Sequence, residues 1–461
     1  MIQFVRSRMQ GTAFVSGLSV LGLVMGCPGA LPVGGTDSTT SPVCGVGLLG
    51  PTTHTESEIT ADTTWIAAGS PHIVTRNISI HNGATLTIEP CTDVKLDPGV
   101  AMTIGITSVD EPGTLTALGT AQEPIRFVSS TGERWERMIV EHPGAAQLAY
   151  VTLENGGSEA ITYDGATLVV LGDSSTPLKR IVDVDHVTVS SSAGFGAIVS
   201  RWGGFTDSSS DLTITGSGAA LPDFPYPIKA DAQTLGTLPS GTYTGNAVDE
   251  LLVNPRQGIV EDLALHDLGI PYRIDGVGSS SLNVTENATL TVEAGVTVRF
   301  DPDLSFDFGT SLSSGVLRAT GEAGNPVVFT SAAANPQPGD WVGIRFNAAP
   351  PLGSSNMLDH VRIEYAGGDC SCLKSCPSNM PDDAALLILD WEPDTVFLTN
   401  STISNSLVNG ILRGWEDFTC GGGVLDFSPT NTFTNVAGCE QTTPIPATPE
   451  CLQGCPVVVC P

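Results

Sequence analysis

Lysine is nearly missing from this chain: there are four in 461 residues, at Lys95, Lys179, Lys229 and Lys374. Lysine and arginine together number 19 against 49 acids, a formal charge of −30. Nucleic acid is excluded as a partner, because gripping a phosphate backbone needs clustered cations and no basic stripe can be built from so few. Long amphipathic helical runs are lacking, as is any apolar run comfortable for a membrane-spanning helix. No GxSxG, phosphate-binding-loop or HExxH pattern occurs, which argues against serine hydrolase, nucleotide and zinc-protease chemistry. Charged residues make up only 15% and hydrophobic residues 41%, so the acidity is not that of a disordered tail. What is plentiful is Gly (52) and Pro (32), too many for helix bundles and suited to short strands joined by tight turns.

The N-terminus reads as an address. Arg6 and Arg8 precede an apolar stretch from Phe14 to Met25, of secretory length. It ends Val24-Met25-Gly26-Cys27, which resembles a bacterial lipobox with Cys27 as the lipidated residue. Residues 1–26 are thus expected to be a lipoprotein signal peptide. Residues 27–54, rich in Pro, Gly, Ser and Thr, are expected to be a flexible tether. A lipid on a tether implies a protein held at a membrane face of the cell envelope, not one crossing it.

Setting Cys27 aside, ten cysteines remain: Cys44, Cys91, Cys370, Cys372, Cys376, Cys420, Cys439, Cys451, Cys455 and Cys460. An even number in an exported chain predicts disulfides. Most lie after residue 369, so the stapling concentrates at a Cys-rich tail, 441–461, and just before it. The alternative, a zinc site at Cys370-x-Cys372-x3-Cys376, lacks a repeated C-x2-C pair.

The chain repeats itself. ATLTIEP at 84–90 returns as ATLTVEA at 288–294, and GTLTALGTAQEPIRFVSS at 113–130 as GVLRATGEAGNPVVFTSA at 315–332. Trp135 answers Trp341, LAYVTLENGG answers LDHVRIEYAGG, and Trp202 with Phe205 answers Trp415 with Phe418. Order is kept while offsets drift, as in a tandem duplication with loop insertions, with units at 55–245 and 246–440. Inside each unit, segments such as TLTIEP, VKLDP and IRFVS alternate inward and outward residues, and Gly, Pro, Asn or Asp interrupts every few positions. Val151-Leu153, Val187-Val189, Val361-Ile363 and the Ile403 segment each read as one strand followed by a polar turn. The expectation is an all-β, right-handed parallel β-helix, a solenoid of stacked coils. A β-sandwich would also use short strands, but Asn-Gly hairpin signals between paired strands are wanting.

These phrases resemble the exported right-handed β-helix repeat proteins common in bacteria, many of them lipoproteins, over about residues 75–160 and 270–370. The chain departs at Cys91, where the second unit has the usual Gly295, and at Arg137, where it has Gly343. The resemblance implies a fold and an exported location; polysaccharide lyases and hydrolases share that fold, and fold does not confer function.

A polysaccharide hydrolase of this type needs converging carboxylates, and a lyase needs a Lys or Arg base beside calcium-binding acids. The nearest mixed cluster is Asp183, Asp185 and His186 beside Lys179-Arg180. Yet Asp185-His186-Val187 is spelled again as Asp359-His360-Val361, and a repeated element ahead of a strand is better read as a turn cap. Lys95 and its counterpart Arg299 read as surface charges. Asp390, Glu392 and Asp394 are spaced to offer oxygens to calcium, though a solvated acidic face is the commoner explanation. The repeated tryptophans, Trp135 with Trp341 and Trp202 with Trp415, read first as plugs over the core; Trp202, Trp415 and above all the unpaired Trp391 are the candidates for stacking on sugars. The sequence therefore points to a lipid-anchored, non-catalytic β-helix module that contacts envelope glycan or a surface protein, with no nucleotide. The alternatives are a β-helix carbohydrate-active enzyme and a calcium-stabilised adhesin.

Overall fold

In a computed structural model, residues 44–158, 162–277, 281–368, 383–417 and 425–446 are described. Strands of mostly three to five residues succeed one another along this chain, and α-helix is absent among the described residues, leaving only short 3-10 turns. Each strand pairs in parallel with the strand about one coil away. Asp93–Leu96, for example, lies between His72–Val74 and Ile125–Ser129. Stacked coils with three strands each form a right-handed parallel β-helix, as expected from the alternation. The register places like on like: Val94, Phe127, Leu153, Val189 and Ile214 fall in one inward column, every one of them fully buried. Outward residues alternate with them, which is the period-2 pattern visible in the sequence.

Corners between faces require left-handed backbone. Tyr150, His186 and Asp211, at φ 50°, 54° and 51°, occupy one corner in successive coils, and His360 and Asn400 do so in the second unit at 52° and 50°. Asn, Asp and His tolerate this region better than β-branched residues. The 12-residue strand Lys179–Ser190 bends at His186 and so serves two faces, its first half pairing with Ala145–Ala149 and its second with Val151–Glu154. Cys91 and Gly295, at equivalent sites, are both left-handed (φ 68° and 86°). In the first unit that corner is bridged to Cys44, and strand Thr52–His54 pairs with His72–Val74, so residues 44–54 belong to the first coil and not to the flexible tether expected over 27–54. Arg137, the other departure from the repeat, is buried with its guanidinium over the Tyr163 ring.

The duplicated units form one continuous solenoid. Strand Leu251–Asn254 pairs backward with Ile228–Asp231 and forward with Tyr272–Ile274, carrying a 14-stranded sheet through the boundary at 245. A second face is interrupted there by the 3-10 segment Ala232–Thr237, whose Thr234 and Thr237 hydroxyls donate to the carbonyls of Asp231 and Thr234 and keep the backbone coiled. Beyond this point corresponding strands of the copies fall in different sheets. Ala101–Ile104 lies in the 14-stranded sheet but its counterpart Ser305–Phe308 lies in a five-stranded one, while Asp93–Leu96 lies outside the long sheet and its counterpart Thr297–Phe300 within it.

Trp135 and Trp341 are fully buried, and each indole N–H donates 2.8 Å to a main-chain carbonyl, of Glu154 and Glu364 respectively. Trp341 also stacks on Phe300 at 4.3 Å. Replacing Trp341 by Phe keeps the stack but strands a buried carbonyl, and should cost about 1–3 kcal/mol in denaturant unfolding. Cys91→Gly copies the second unit's corner without its bridge. It should lower stability by roughly 2–4 kcal/mol, an effect absent when both proteins are compared fully reduced.

Candidate functional site

The corner formed by Asp183, Asp185 and His186 brings these residues close but commits them to structure. Asp183 Oδ1 accepts from the hydroxyls of Thr206 (2.6 Å), Ser208 (2.8 Å) and Ser209 (3.4 Å) in the next coil. The Thr206 bond chiefly, against an opposing effect of burial and with help from the two serines, holds its carboxyl below the usual range. Such a group stays ionised and is unsuited to delivering a proton. Asp185 pairs with His186 at 2.7 Å, and Tyr150 stacks on the imidazole at 4.5 Å. The second copy repeats the device: Asp359 accepts from His360 (2.9 Å), Thr399 (2.7 Å) and Asn400 (2.8 Å). In both corners the Asp accepts from the His that follows it, and Asp359 also from side chains of the next coil.

Sequence reading missed Asp211, which faces His186 Nε2 at 3.5 Å from one coil further on. Ligand atoms of Asp185, His186 and Asp211 lie within 4.8 Å of one another, the one such three-residue grouping among the described residues. All three are exposed. Asp390, Glu392 and Asp394 form no comparable set. Asp390 ends the strand Ala384–Leu389 in a left-handed turn (φ 62°), and the other two run on into the wall of a cleft.

That cleft is the open feature of the second unit. The loops after the paired strands Gly343–Phe346 and Ala384–Leu389 stack at one corner and enclose about 240 Å³. Pro350, Pro351 and Leu352 form one side, Trp391, Glu392, Asp394 and Phe397 the other. Trp391 is half-buried, stacked 6.3 Å from Phe397, and its indole Nε1 is buried with no acceptor among the described residues. Glu392 and Asp394 are exposed, and among the described residues no Lys or Arg lines the cleft. The sequence singled out Trp391 and the two acids separately; the fold joins them. The loop Pro350–Leu352 gave no signal, because its role depends on which coil stacks beside it.

Trp202 and Trp415, by contrast, are 6% and 2% exposed. Neither offers a ring face to a sugar, which removes both as glycan-contact candidates and leaves the structural reading: their apolar bodies cover the core at strand ends. Arg299 is likewise less a solvated surface charge than part of a half-buried network. It pairs with Glu250, which also faces Arg273 at 3.5 Å, and Arg273 binds Asp301 at 2.8 Å.

Acids also gather around the interrupting 3-10 segment, where two clefts of about 400 and 390 Å³ share Gly236 and Thr237. Asp207, Glu261, Asp262 and Asp267 line them with Arg180 and His266. Most of these groups already have work. Arg180 pairs with Asp207 at 3.2 Å, Asp267 caps Gly269 N–H at 2.9 Å, and Asp262 accepts from Thr289 N–H at 2.7 Å just as Asp62 does from Thr85 N–H at 2.9 Å.

Of the predicted cysteines, Cys44 and Cys91 are bridged and Cys439 is disulfide-bonded. Cys27, Cys370, Cys372, Cys376, Cys420, Cys451, Cys455 and Cys460 lie outside the described residues.

Residues 259–353 match the family model of a pectate-lyase-like β-helix domain. No curated protein and no solved structure matches the chain. The matched stretch and the parallel sheets together make this a β-helix repeat protein, and the likeness is one of fold.

The Asp359 cap carries a pH signature. Burial raises its carboxyl, but the bonds from Thr399, Asn400 and His360 outweigh that and leave it lowered. A lowered folded-state value contributes stability above the ordinary carboxylate range and loses it as pH falls through the folded value. Asp359→Asn should therefore cost about 1–2 kcal/mol at neutral pH. The two proteins should converge in urea unfolding toward pH ~3.

Proposed function

We propose that this protein is a lipid-anchored, non-catalytic β-helix module of the bacterial envelope that binds glycan in the cleft around Trp391. The observation that carries the reading is the pairing of a half-buried indole with two exposed acids that have no basic partner among the described residues. A sugar ring presents C–H groups that pack on an aromatic face and hydroxyls that donate to carboxylates. A binding rather than a hydrolytic role is supported by the engagement of Asp183 and Asp359 with side-chain donors of the next coil and of Asp185 with His186. The lipobox-like Val24-Met25-Gly26-Cys27 supports attachment through Cys27.

Affinity electrophoresis of the mature protein against neutral and acidic envelope polysaccharides tests this. Retardation by at least one glycan is expected, weakened tenfold or more by Trp391→Ala and unaffected by Asp185→Asn. Release of reducing ends or unsaturated uronates, abolished by substituting Asp183 or Asp185, would establish the enzymatic alternative instead. For the anchor, Cys27→Ser should move the protein from the membrane to the soluble fraction.

A further inference from the structure

The first coil holds a buried pair of histidines that the glycan-binding reading does not use. His54, at the end of strand Thr52–His54, and His72, at the start of His72–Val74, are 8% and 3% exposed. Their facing nitrogens, His54 Nε2 and His72 Nδ1, are 2.9 Å apart. The outer nitrogens are each engaged by a group that can only accept: His54 Nδ1 lies 2.7 Å from the Glu56 carboxylate and His72 Nε2 lies 3.0 Å from the Ile66 carbonyl. Both outer nitrogens must therefore carry hydrogen. If both rings were neutral, two bare lone pairs would then confront each other at hydrogen-bonding distance in a buried site.

We infer that His54 and His72 bind one proton beyond the neutral pair, making an imidazolium–imidazole clasp that closes the first coil of the solenoid. His54 is the charged ring, donating to both Glu56 and His72. It lies stacked on Trp65 at 4.3 Å, where the indole face favours a cation. His72 is the neutral ring. Burial first, and then the neighbouring His54 against the raising effect of the Ile66 carbonyl, hold it below the ordinary imidazole range. Glu56 stays ionised: burial raises its carboxyl, but its own and Thr55's backbone N–H groups and His54 lower it further.

The other charged groups around the clasp are accounted for. Glu89 accepts from Ala67 N–H at 2.8 Å, and Arg76 reaches the Thr55 carbonyl at 3.5 Å. Asp93 and Lys95 flank Val94, the strand partner of His72, and so alternate to the opposite face.

The duplication supplies an internal control. By strand register, His54, Trp65 and His72 correspond to Val253, Leu265 and Tyr272. Tyr272 donates its hydroxyl to the His266 carbonyl at 2.7 Å, as His72 does to that of Ile66. The donor function is thus preserved while the titratable pair is confined to the terminal coil.

The sign of the pH effect follows. Below about pH 6.5 the unfolded rings bind two protons against one in the folded clasp, and above it they bind none against one. Stability contributed by the clasp falls on both sides, by up to tenfold in the unfolding constant per pH unit. Histidine-selective 15N NMR on the full chain should show both His54 nitrogens protonated at pH 7.5 and His72 as the Nε2–H tautomer. Unfolding from pH 5 to 9 should show a maximum near neutrality for the wild type that is missing from His72→Tyr, which retains the Ile66 bond. Two neutral rings at pH 7.5, or identical pH profiles for the two proteins, would overturn the clasp. So would zinc-induced shifts of both rings that a chelator reverses, which would make the pair a metal site.

Discussion

In-register parallel stacking is the constraint from which the rest descends. A coil of three short strands cannot bury its own apolar residues; it does so only against the coils on either side. Columns such as Val94, Phe127, Leu153, Val189 and Ile214 are the outcome, and they fix which residues must point inward. Everything polar is thereby pushed to corners and outer faces, where backbone groups left over by each turn have to be satisfied. Some of the acids serve that need: Asp62 and Asp262 accept backbone N–H groups of a neighbouring coil, while Asp183 and Asp359 accept hydroxyls of one.

Much of this was legible in the sequence, because columns impose a local signature. Alternation in TLTI and VKL, the recurrence of ATLT and the paired tryptophans all report burial that depends on the residue's own strand. Trp135 and Trp341 could be placed because each is repeated at the same point of the phrase. The same logic covers Trp202 and Trp415: repetition signalled a shared structural role, and both rings are buried over the core.

What was not legible depends on which coils become neighbours. Asp211 meets His186, and Pro350 meets Trp391, only because loops of variable length bring particular turns into the same corner. Sequence separation carries no information about such meetings. The His54–His72 pair was similarly hidden, since its chemistry rests on the donor and acceptor roles of Ile66 and Glu56. Among the described residues the first coil is stacked on one side, and there the His54–His72 pair stands where the second unit has Val253 and Tyr272.

The change of sheet between the copies alters what duplication accomplishes. Segments copied by descent need not stack in one column, since Ala101–Ile104 and Ser305–Phe308 belong to different sheets. Lineage and neighbourhood are therefore decoupled: the long sheet runs from strands of one ancestral position into strands of another. A longer solenoid is for that reason not simply a longer repetition of one outer stripe.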